Sequence, residues 1–256
     1  STILNTLGLE TTALGFVAGF TGKAIEDGLA AQGIHTDFIH LPEGNSRINV
    51  KVKHGDETEI NGQGPVITEE AINELFAKLD TLTKEDILVL AGSIPNTLPE
   101  DIYEKILARL ESKGIRVVVD ATKDLLLNVL KYHPFLIKPN NHELGEMFGT
   151  VCKTDEDIVH YAKKLQEKGA VNVLISMAGD GAILITEDGQ NIKMGTPKGK
   201  VVNSVGAGDS MVAGFITGYI RGGNYEEALK SGTAAGSATA FSEGLASLEM
   251  YEKMLK

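Results

Sequence analysis

Apolar runs of strand length alternate with helical segments through the middle of the chain. The runs are DILVLAG at residues 86–92, IRVVVDA at 115–121, PFLIKPN at 134–140 and VNVLIS at 171–176, and a turn joins the last to a further strand, AILIT. Strands that are apolar on both faces must be covered on both sides, which is typical of a parallel sheet between two layers of helices. We therefore predict an α/β fold, a three-layer α/β/α sandwich with a mainly parallel central sheet, and the 256 residues suffice for one large α/β domain or two small ones.

The segment from residue 37 to residue 61 has a different pattern. DFIHL, RINVKVKH and ETEIN are short, partly alternating stretches separated by polar turns, which predicts a small antiparallel sheet with one face in water. Arg47 and Asn49 are two residues apart here, so they are expected to share one face of a strand. The alternatives for that face are ligand binding and simple solvation.

Local signals place several helices and turns. We predict a short buried strand at residues 12–18, a turn at 19–22, a helix at 23–32 and another helix near 69–79. Thr97 and Glu100 have the spacing of a capping box, ahead of an apolar stripe of helical period between residues 102 and 110.

Polar residues follow the predicted strands at the point where each strand ends. They are Ser93, Asp120, Asn140, Ser176 and the turn at 206–209. In open parallel sheets, ligands bind beyond the carboxyl ends of the strands. We therefore expect these positions to converge on one ligand-binding edge.

The stretch NSVGAGDSMVAG, residues 203–214, points to an anion. Gly206, Ala207 and Gly208 directly precede Asp209, and a small, apolar helical run follows. A glycine turn that opens a helix leaves several backbone N–H groups unpaired at the positive end of the helix dipole. An acid beside such a phosphate-sized group of donors suggests a base next to a transferring phosphoryl group. The alternative is an ordinary turn in which Asp209 caps the helix.

The composition excludes some classes of protein. The formal net charge of −11 argues against a surface for nucleic acid or for an anionic membrane. Cys152 is the single cysteine, so the chain cannot form an internal disulfide, and a reducing compartment such as the cytoplasm is expected. The glycine pairs at 179/181 and 206/208 lack the third glycine of a dinucleotide-binding fingerprint, and GFTGK and PKGK miss the P-loop pattern.

Taken together, KPNNHELGEMFG, ISMAGDGA and NSVGAGDSMVAGF resemble the ribokinase-type carbohydrate kinases of the phosphofructokinase-B family. The resemblance covers nearly the whole chain and implies a single ribokinase-like domain over residues 1–256, with a small β lid at residues 38–62 within it. Members of that family usually begin with a strand, a sugar-binding acid, lid strands and a Gly-Gly motif. None of these precedes Ser1, so the resemblance also implies that an N-terminal segment is absent.

The resemblance assigns roles to individual residues. It implies that Asp209 is the base that takes the proton from the sugar hydroxyl, and that Mg²⁺ is held by Asn140 and Glu143, partly through water. The remaining expected contacts are an anion hole at Gly206, Ala207 and Gly208, an ATP site at Ser176, Gly179, Gly181, Lys138 and Asn140, and a sugar-phosphate site at Arg47 and Ser93.

The implied activity is the ATP- and Mg²⁺-dependent phosphorylation of a ketohexose monophosphate. The stretches SRINVKVK, ETEINGQGP, LAGSIP and FSEGLA favour fructose 1-phosphate, converted to fructose 1,6-bisphosphate. Tagatose 6-phosphate is the alternative substrate, and a catalytically silent sensor of sugar phosphate or nucleotide is the alternative from another class. The expected partners are small molecules, with no nucleic acid and no membrane, and an exposed lid edge suggests a homodimer through the lid.

Overall fold

A computed structural model of the chain describes residues 1–54, 56–92, 94–121 and 123–256, with the side chains of 51–54, 56–59 and 123 outside the description. The α-helices are α1 Thr2–Thr6, α2 Gly19–Ala30, α3 Glu69–Leu79, α4 Ile102–Leu110, α5 Lys123–Val129, α6 Asn141–Met147, α7 Asp155–Glu167, α8 Ala207–Gly222, α9 Tyr225–Ala240 and α10 Leu248–Leu255. The strands are β1 Thr12–Ala13, β2 Phe16–Val17, β3 His35–Thr36, β4 Ile39–His40, β5 Asn49–His54, β6 Asp56–Asn61, β7 Ile87–Ala91, β8 Arg116–Asp120, β9 Leu136–Ile137, β10 Asn172–Ser176, β11 Ala182–Ile185 and β12 Asn191–Met194.

Six strands form the central sheet in the order β12-β11-β10-β9-β8-β7. Strands β7 to β10 run parallel, whereas β11 and β12 extend one edge in antiparallel fashion. The predicted mainly parallel sheet is therefore confirmed. Because parallel strands end at the same edge, the residues that follow β8, β9 and β10 are brought side by side.

Helices cover both faces of this sheet. Alternate residues of β8 point to opposite faces: Val117 and Val119 belong to the core beneath α3 to α7, and Val118 belongs to the core beneath α8 and α9. Val118 and Phe215 of α8 are fully buried, and burial of a side chain of this size contributes about 1.5–3 kcal/mol. The three-layer α/β/α sandwich is confirmed.

Helices α8 and α9 pack with their backbones in close contact. A Cβ atom on Gly214 would lie 2.5 Å from the Ser231 carbonyl oxygen, and one on Gly218 would lie 2.5 Å from the Glu227 carbonyl oxygen. Any side chain at these two positions would push the helices apart. This packing fixes α8, whose first turn carries Asp209.

The predictions for residues 12–32 were partly wrong. The predicted single strand is two short ones, β1 and β2, which pair in parallel with β3 and β4. The predicted turn at 19–22 is the first turn of α2. Its backbone and side chains are held by a later segment: the Phe20 N–H donates to Asn45 Oδ1 at 3.2 Å, and the Thr21 hydroxyl donates to the Ser46 carbonyl at 2.8 Å.

The predicted antiparallel sheet over residues 37–61 is confirmed only for the hairpin of β5 and β6. The DFIHL stretch instead contributes β4, which lies parallel to β2. Arg47 precedes the first residue of β5, so its predicted strand face shared with Asn49 was wrong. The segment between β4 and β5 is instead drawn toward the start of α2 by the contacts of Asn45 and Ser46.

The capping box at Thr97 and Glu100 was also wrong, because α4 begins at Ile102 with Asp101 at its N-cap. The predicted helix at 69–79 coincides with α3, whose N-cap residue Thr68 accepts a bond from the Ala71 N–H. Within the described residues, no helix is both long and apolar enough to span a membrane.

Candidate active site

The first turn of α8 presents unpaired backbone N–H groups. Gly206, at its N-cap, has the left-handed φ of 79° that favours glycine. The Ala207 and Ser210 N–H groups donate to the Ser204 and Gly206 carbonyls. Among the hydrogen bonds of the described residues, the N–H groups of Gly208 and Asp209 have no acceptor. They are the unpaired donors that a helix N-terminus offers to a phosphate.

A buried lysine lies behind this turn. Lys138 follows β9 and is only 7% exposed, and a Cβ atom on Gly208 would lie 3.2 Å from its Nζ. The same Nζ lies 3.3 Å from Oδ1 of Asp120, the last residue of the neighbouring strand β8. The ammonium group is therefore held between a carboxylate and the glycine turn.

Three carboxylates share this edge of the sheet. Burial raises the pKa of Asp120, the Lys138 ammonium opposes that shift, and the negative charges of Asp209 and Glu143 add to it. The cluster is rich in negative charge around one ammonium group. Such an arrangement suits a site where a divalent cation and phosphate groups meet.

Asn140 and Glu143 form the N-terminal cap of α6. Asn140 Oδ1 accepts from the N–H groups of His142 and Glu143, both at 2.9 Å, and Glu143 Oε2 accepts from the Asn140 N–H at 2.8 Å. This reciprocal capping box fixes both side chains in place. The second carboxylate oxygen of Glu143 has no hydrogen-bond partner among the described residues and is open to another ligand.

The loop after β10 lies beside that cap. Ser176 forms a parallel bridge with Asn140, and the Met177 N–H donates to the Gly181 carbonyl at 2.8 Å. Gly181 has a φ of 93°, and a Cβ atom there would overlap the Met194 carbonyl, so the turn requires glycine. At Gly179 a Cβ atom would meet nothing within 4 Å, which leaves that backbone accessible.

The structure brings most of the predicted site residues together. Asp209, Gly206, Ala207 and Gly208 lie on one turn beside Lys138, and Asn140, Glu143, Ser176, Gly179 and Gly181 lie along the adjoining strand ends. Arg47 is exposed on the segment between β4 and β5. Ser93 lies outside the described residues. Its neighbour Gly92 donates its N–H to the Asp120 carbonyl at 3.3 Å.

Sequence reasoning gave no role to two residues at this edge. Asp120 was recognised only as the polar end of a strand, although its pairing with Lys138 follows from the adjacency of β8 and β9. Tyr103 of α4 donates its hydroxyl to the Ala91 carbonyl at 3.0 Å and so holds the end of β7. Burial, together with the charge of Asp120, raises the pKa of Tyr103 to about 12. No sequence motif marks that contact.

Comparison with known proteins decides the family. The profile of the pfkB family of carbohydrate kinases matches residues 1–250. The chain belongs to this family. The kinase is 50% identical over 247 residues to 1-phosphofructokinase of Bacillus subtilis, covering 96% of this chain and 81% of the relative. It is 39% identical over 254 residues to D-tagatose-1-phosphate kinase of Bacillus licheniformis, covering 99% of this chain and 83% of the relative.

Solved structures agree with the ribokinase-like fold. A structure from Staphylococcus aureus, provisionally named a phosphofructokinase, superimposes with a TM-score of 0.92 at 46% identity, over 100% of this kinase and 83% of that chain. Phosphofructokinase-2 of Escherichia coli, in complex with substrates and products, superimposes with a TM-score of 0.90 at 25% identity, over 99% and 84%. The predicted family and fold are confirmed.

The buried pair of Lys138 and Asp120 leads to a prediction about stability. D120N and K138M each leave one buried charge without its partner, so each is expected to lower the free energy of unfolding by about 3 kcal/mol. D120L/K138M removes both charges and is expected to stay close to wild type. Urea denaturation at pH 7 measures the free energy of unfolding of all three variants.

Asp155 provides the control, because its ion pair with Lys193 is half-exposed. D155N is expected to change the unfolding midpoint little, since surface ion pairs contribute little. A double variant whose loss equals the sum of the two single losses would contradict the coupling of Lys138 to Asp120.

Proposed function

We propose that this kinase transfers the γ-phosphoryl group of ATP to fructose 1-phosphate and produces fructose 1,6-bisphosphate. The observation that carries the proposal is Asp209 on the first turn of α8, beside unpaired backbone donors and the Lys138 ammonium. The name of the relative at 50% identity supports the choice of sugar. The free hydroxyl that accepts the phosphoryl group is then the one on C6.

Asp209 acts as the base in this proposal. As the sugar O6 bonds to the γ-phosphorus, its proton passes to the Asp209 carboxylate, and the bond from the γ-phosphorus to the leaving oxygen of ADP breaks. Phosphoryl transfer passes through a loose transition state, so positioning and charge stabilisation supply most of the rate. The turn of Gly206, Ala207 and Gly208, with the unpaired N–H groups of Gly208 and Asp209, receives the equatorial oxygens, and Lys138 adds a fixed positive charge behind them.

Ser176, Gly179 and Gly181 are proposed to contact ATP. The loop is held by the hydrogen bond from the Thr196 hydroxyl to the Gly179 carbonyl at 2.7 Å. Arg47 and Ser93 are proposed to hold the phosphate of the sugar. Residues 38–62 would close over it as a lid within one kinase domain of residues 1–256, and closure would keep water from ATP.

Asn140 and Glu143 are proposed to hold Mg²⁺. The free carboxylate oxygen of Glu143 and the nearby Asp120 fit a hard cation that binds to one or two carboxylates and retains several waters. Within the described residues, no three His, Cys, Asp or Glu side chains are grouped to enclose a metal. That agrees with an ion held largely by water and nucleotide phosphates. When bound, Mg²⁺ neutralises charge on the nucleotide phosphates.

A coupled assay of ADP release tests the substrate. We expect turnover with fructose 1-phosphate to exceed that with tagatose 6-phosphate, fructose 6-phosphate and D-tagatose 1-phosphate. D-tagatose 1-phosphate is the specific rival because of the relative named for it, and it differs from fructose 1-phosphate only in configuration at C4. Higher kcat/KM with any other sugar would replace the proposed substrate. ATP binding with no turnover on any of them would favour the silent sensor.

The D209N variant tests the base. The amide keeps the size of the side chain but cannot take the proton, so kcat should fall by about 100-fold or more, with the melting temperature unchanged. The unpaired N–H groups at the start of α8 also remain available to ATP, so the affinity for nucleotide should persist. Near-normal kcat in D209N would remove Asp209 from the proposed role.

The E143Q variant tests the metal site without breaking the cap. Glutamine serves a capping box as glutamate does, so α6 should stay folded while one negative charge is lost. We expect the Mg²⁺ concentration needed for half-maximal activity to rise. E146Q is the control, because Glu146 lies in the same helix and is exposed. A Mg²⁺ dependence identical to wild type in E143Q would exclude Glu143.

We also propose a homodimer through the lid. Ile48, Val50 and Ile60 are 60%, 45% and 60% exposed, and Val50 lies opposite Ile60 in the hairpin of β5 and β6. A two-stranded hairpin is at best marginally stable alone. A second copy of the chain would cover its exposed apolar side chains. Gel filtration should give a dimer that the I60K variant dissociates. A wild-type monomer at assay concentration would contradict the interface.

A further inference from the structure

The last turn of α9 holds the chain that leads into the anion hole. The N–H groups of Val202 and Asn203 both donate to the Ala240 carbonyl, at 2.8 and 3.1 Å. The Asn203 side chain also donates from Nδ2 to the Glu243 carbonyl at 3.2 Å. Residues 202–203 are therefore held by hydrogen bonds to the end of α9 and to the loop after it.

Thr239, in that same turn, reaches the other side of the anion hole. Its hydroxyl donates to the hydroxyl of Ser210 at 2.8 Å, and it accepts from the Ala246 N–H at 3.2 Å. Thr239 and Ser210 are fully buried. Ser210 is the residue directly after Asp209, on the first turn of α8.

The loop at residues 242–247 completes this arrangement. A Cβ atom on Gly206 would lie 3.0 Å from Cδ2 of Leu245, so the loop packs against the glycine that opens α8. Thr239 thus links the first turn of α8 to the loop that packs on Gly206. It lies at the same end of α9 that holds residues 202–203.

A second buried threonine in α9 shows that these bonds are not a general property of the helix. The Thr233 hydroxyl donates to the Leu229 and Lys230 carbonyls of its own helix, at 3.1 and 3.0 Å. That is the usual way for a helical threonine to satisfy its hydroxyl. Thr239 instead directs its hydroxyl away from its own helix, where a valine of the same shape would fill the space equally well.

We propose that Thr239 is a positioning residue for catalysis: its hydroxyl holds the Asp209 turn and the loop at 242–247 in register, so that the base and the anion-hole donors face the same phosphoryl group. The catalytic part of this inference rests on the proposed kinase reaction. Misplacing catalytic groups by about 1 Å can cost about 100-fold in rate. The hydrogen bonds of the Thr239 hydroxyl tie the turn that carries Asp209 to the loop at 242–247, and so prevent such a displacement.

The kinetic test compares T239V, T239S, S210A and T233V. T239V keeps the shape and loses the bonds, so we expect kcat to fall by about 10- to 100-fold, with the KM values for both substrates changed by about twofold or less. T239S keeps the hydroxyl and should restore most of kcat. T233V is the matched control and should leave kcat unchanged. S210A/T239V should be no slower than the slower single variant, because both changes cut one link.

Equal kcat in T239V and wild type would overturn the proposal. So would a T233V loss as large as that of T239V, or a T239S variant as slow as T239V, since either result indicates general softening of α9. Melting temperatures measured on all variants separate a lower kcat from partial unfolding. If T239V does not fold, T239S and S210A still decide the result, because the first should be active and the second slow.

Hydrogen–deuterium exchange gives a readout that does not need turnover. In T239V, or in S210A if T239V does not fold, amides in peptides covering 203–212 and 242–247 should exchange faster, with little change in peptides covering 225–233. Unchanged exchange in both segments would overturn the positioning role. If wild type phosphorylates none of the tested sugars, the proposed function fails, and the exchange data still decide whether Thr239 holds the two segments together.

Discussion

Burial of both faces of the central sheet is the constraint on which this structure depends. Helices α3 to α7 seal one face, and α8 and α9 seal the other. Buried side chains of β8 and β10, such as Val118, Val119 and Leu174, therefore lie in the apolar cores, and the polar groups of the site lie at the strand ends. Since β7 to β10 run parallel, one edge collects all the carboxyl ends. The ammonium of Lys138, the carboxylate of Asp120 and the cap at Asn140 lie at that edge because Asp120 ends β8 and the other two residues follow β9.

Much of the sheet and its helices could be predicted from the sequence, because the signals were local. The apolar runs and the stripe of α4 need only a few neighbouring residues to be recognised. The start of α2 could not be predicted, because Asn45 and Ser46, 25 residues further along the chain, hold its first turn. The same contacts remove Arg47 from the strand to which its spacing assigned it.

The candidate site shows the same division between local signals and contacts between distant residues. The glycine turn before Asp209 and the Asn140–Glu143 spacing are contiguous motifs, and each could be read directly. The partner of Lys138 lies on another strand, and that of Ser210 lies on another helix, so both depend on tertiary packing. The approach of α8 to α9 at Gly214 and Gly218 makes the second contact available, because bulkier residues would hold Thr239 too far from Ser210. The two glycines of α8 thereby allow the hydroxyl groups of Ser210 and Thr239 to meet.

The capping box at Asn140 and Glu143 has a consequence for how a cation would bind. Both side chains are already ordered by the backbone of α6, each with its orientation set by hydrogen bonds of 2.8–2.9 Å. If Mg²⁺ binds there as proposed, its ligands are arranged in advance and no loop has to become ordered. Loss of the ion would likewise leave α6 folded. The proposed cation would then enter and leave with the nucleotide phosphates without any refolding of α6.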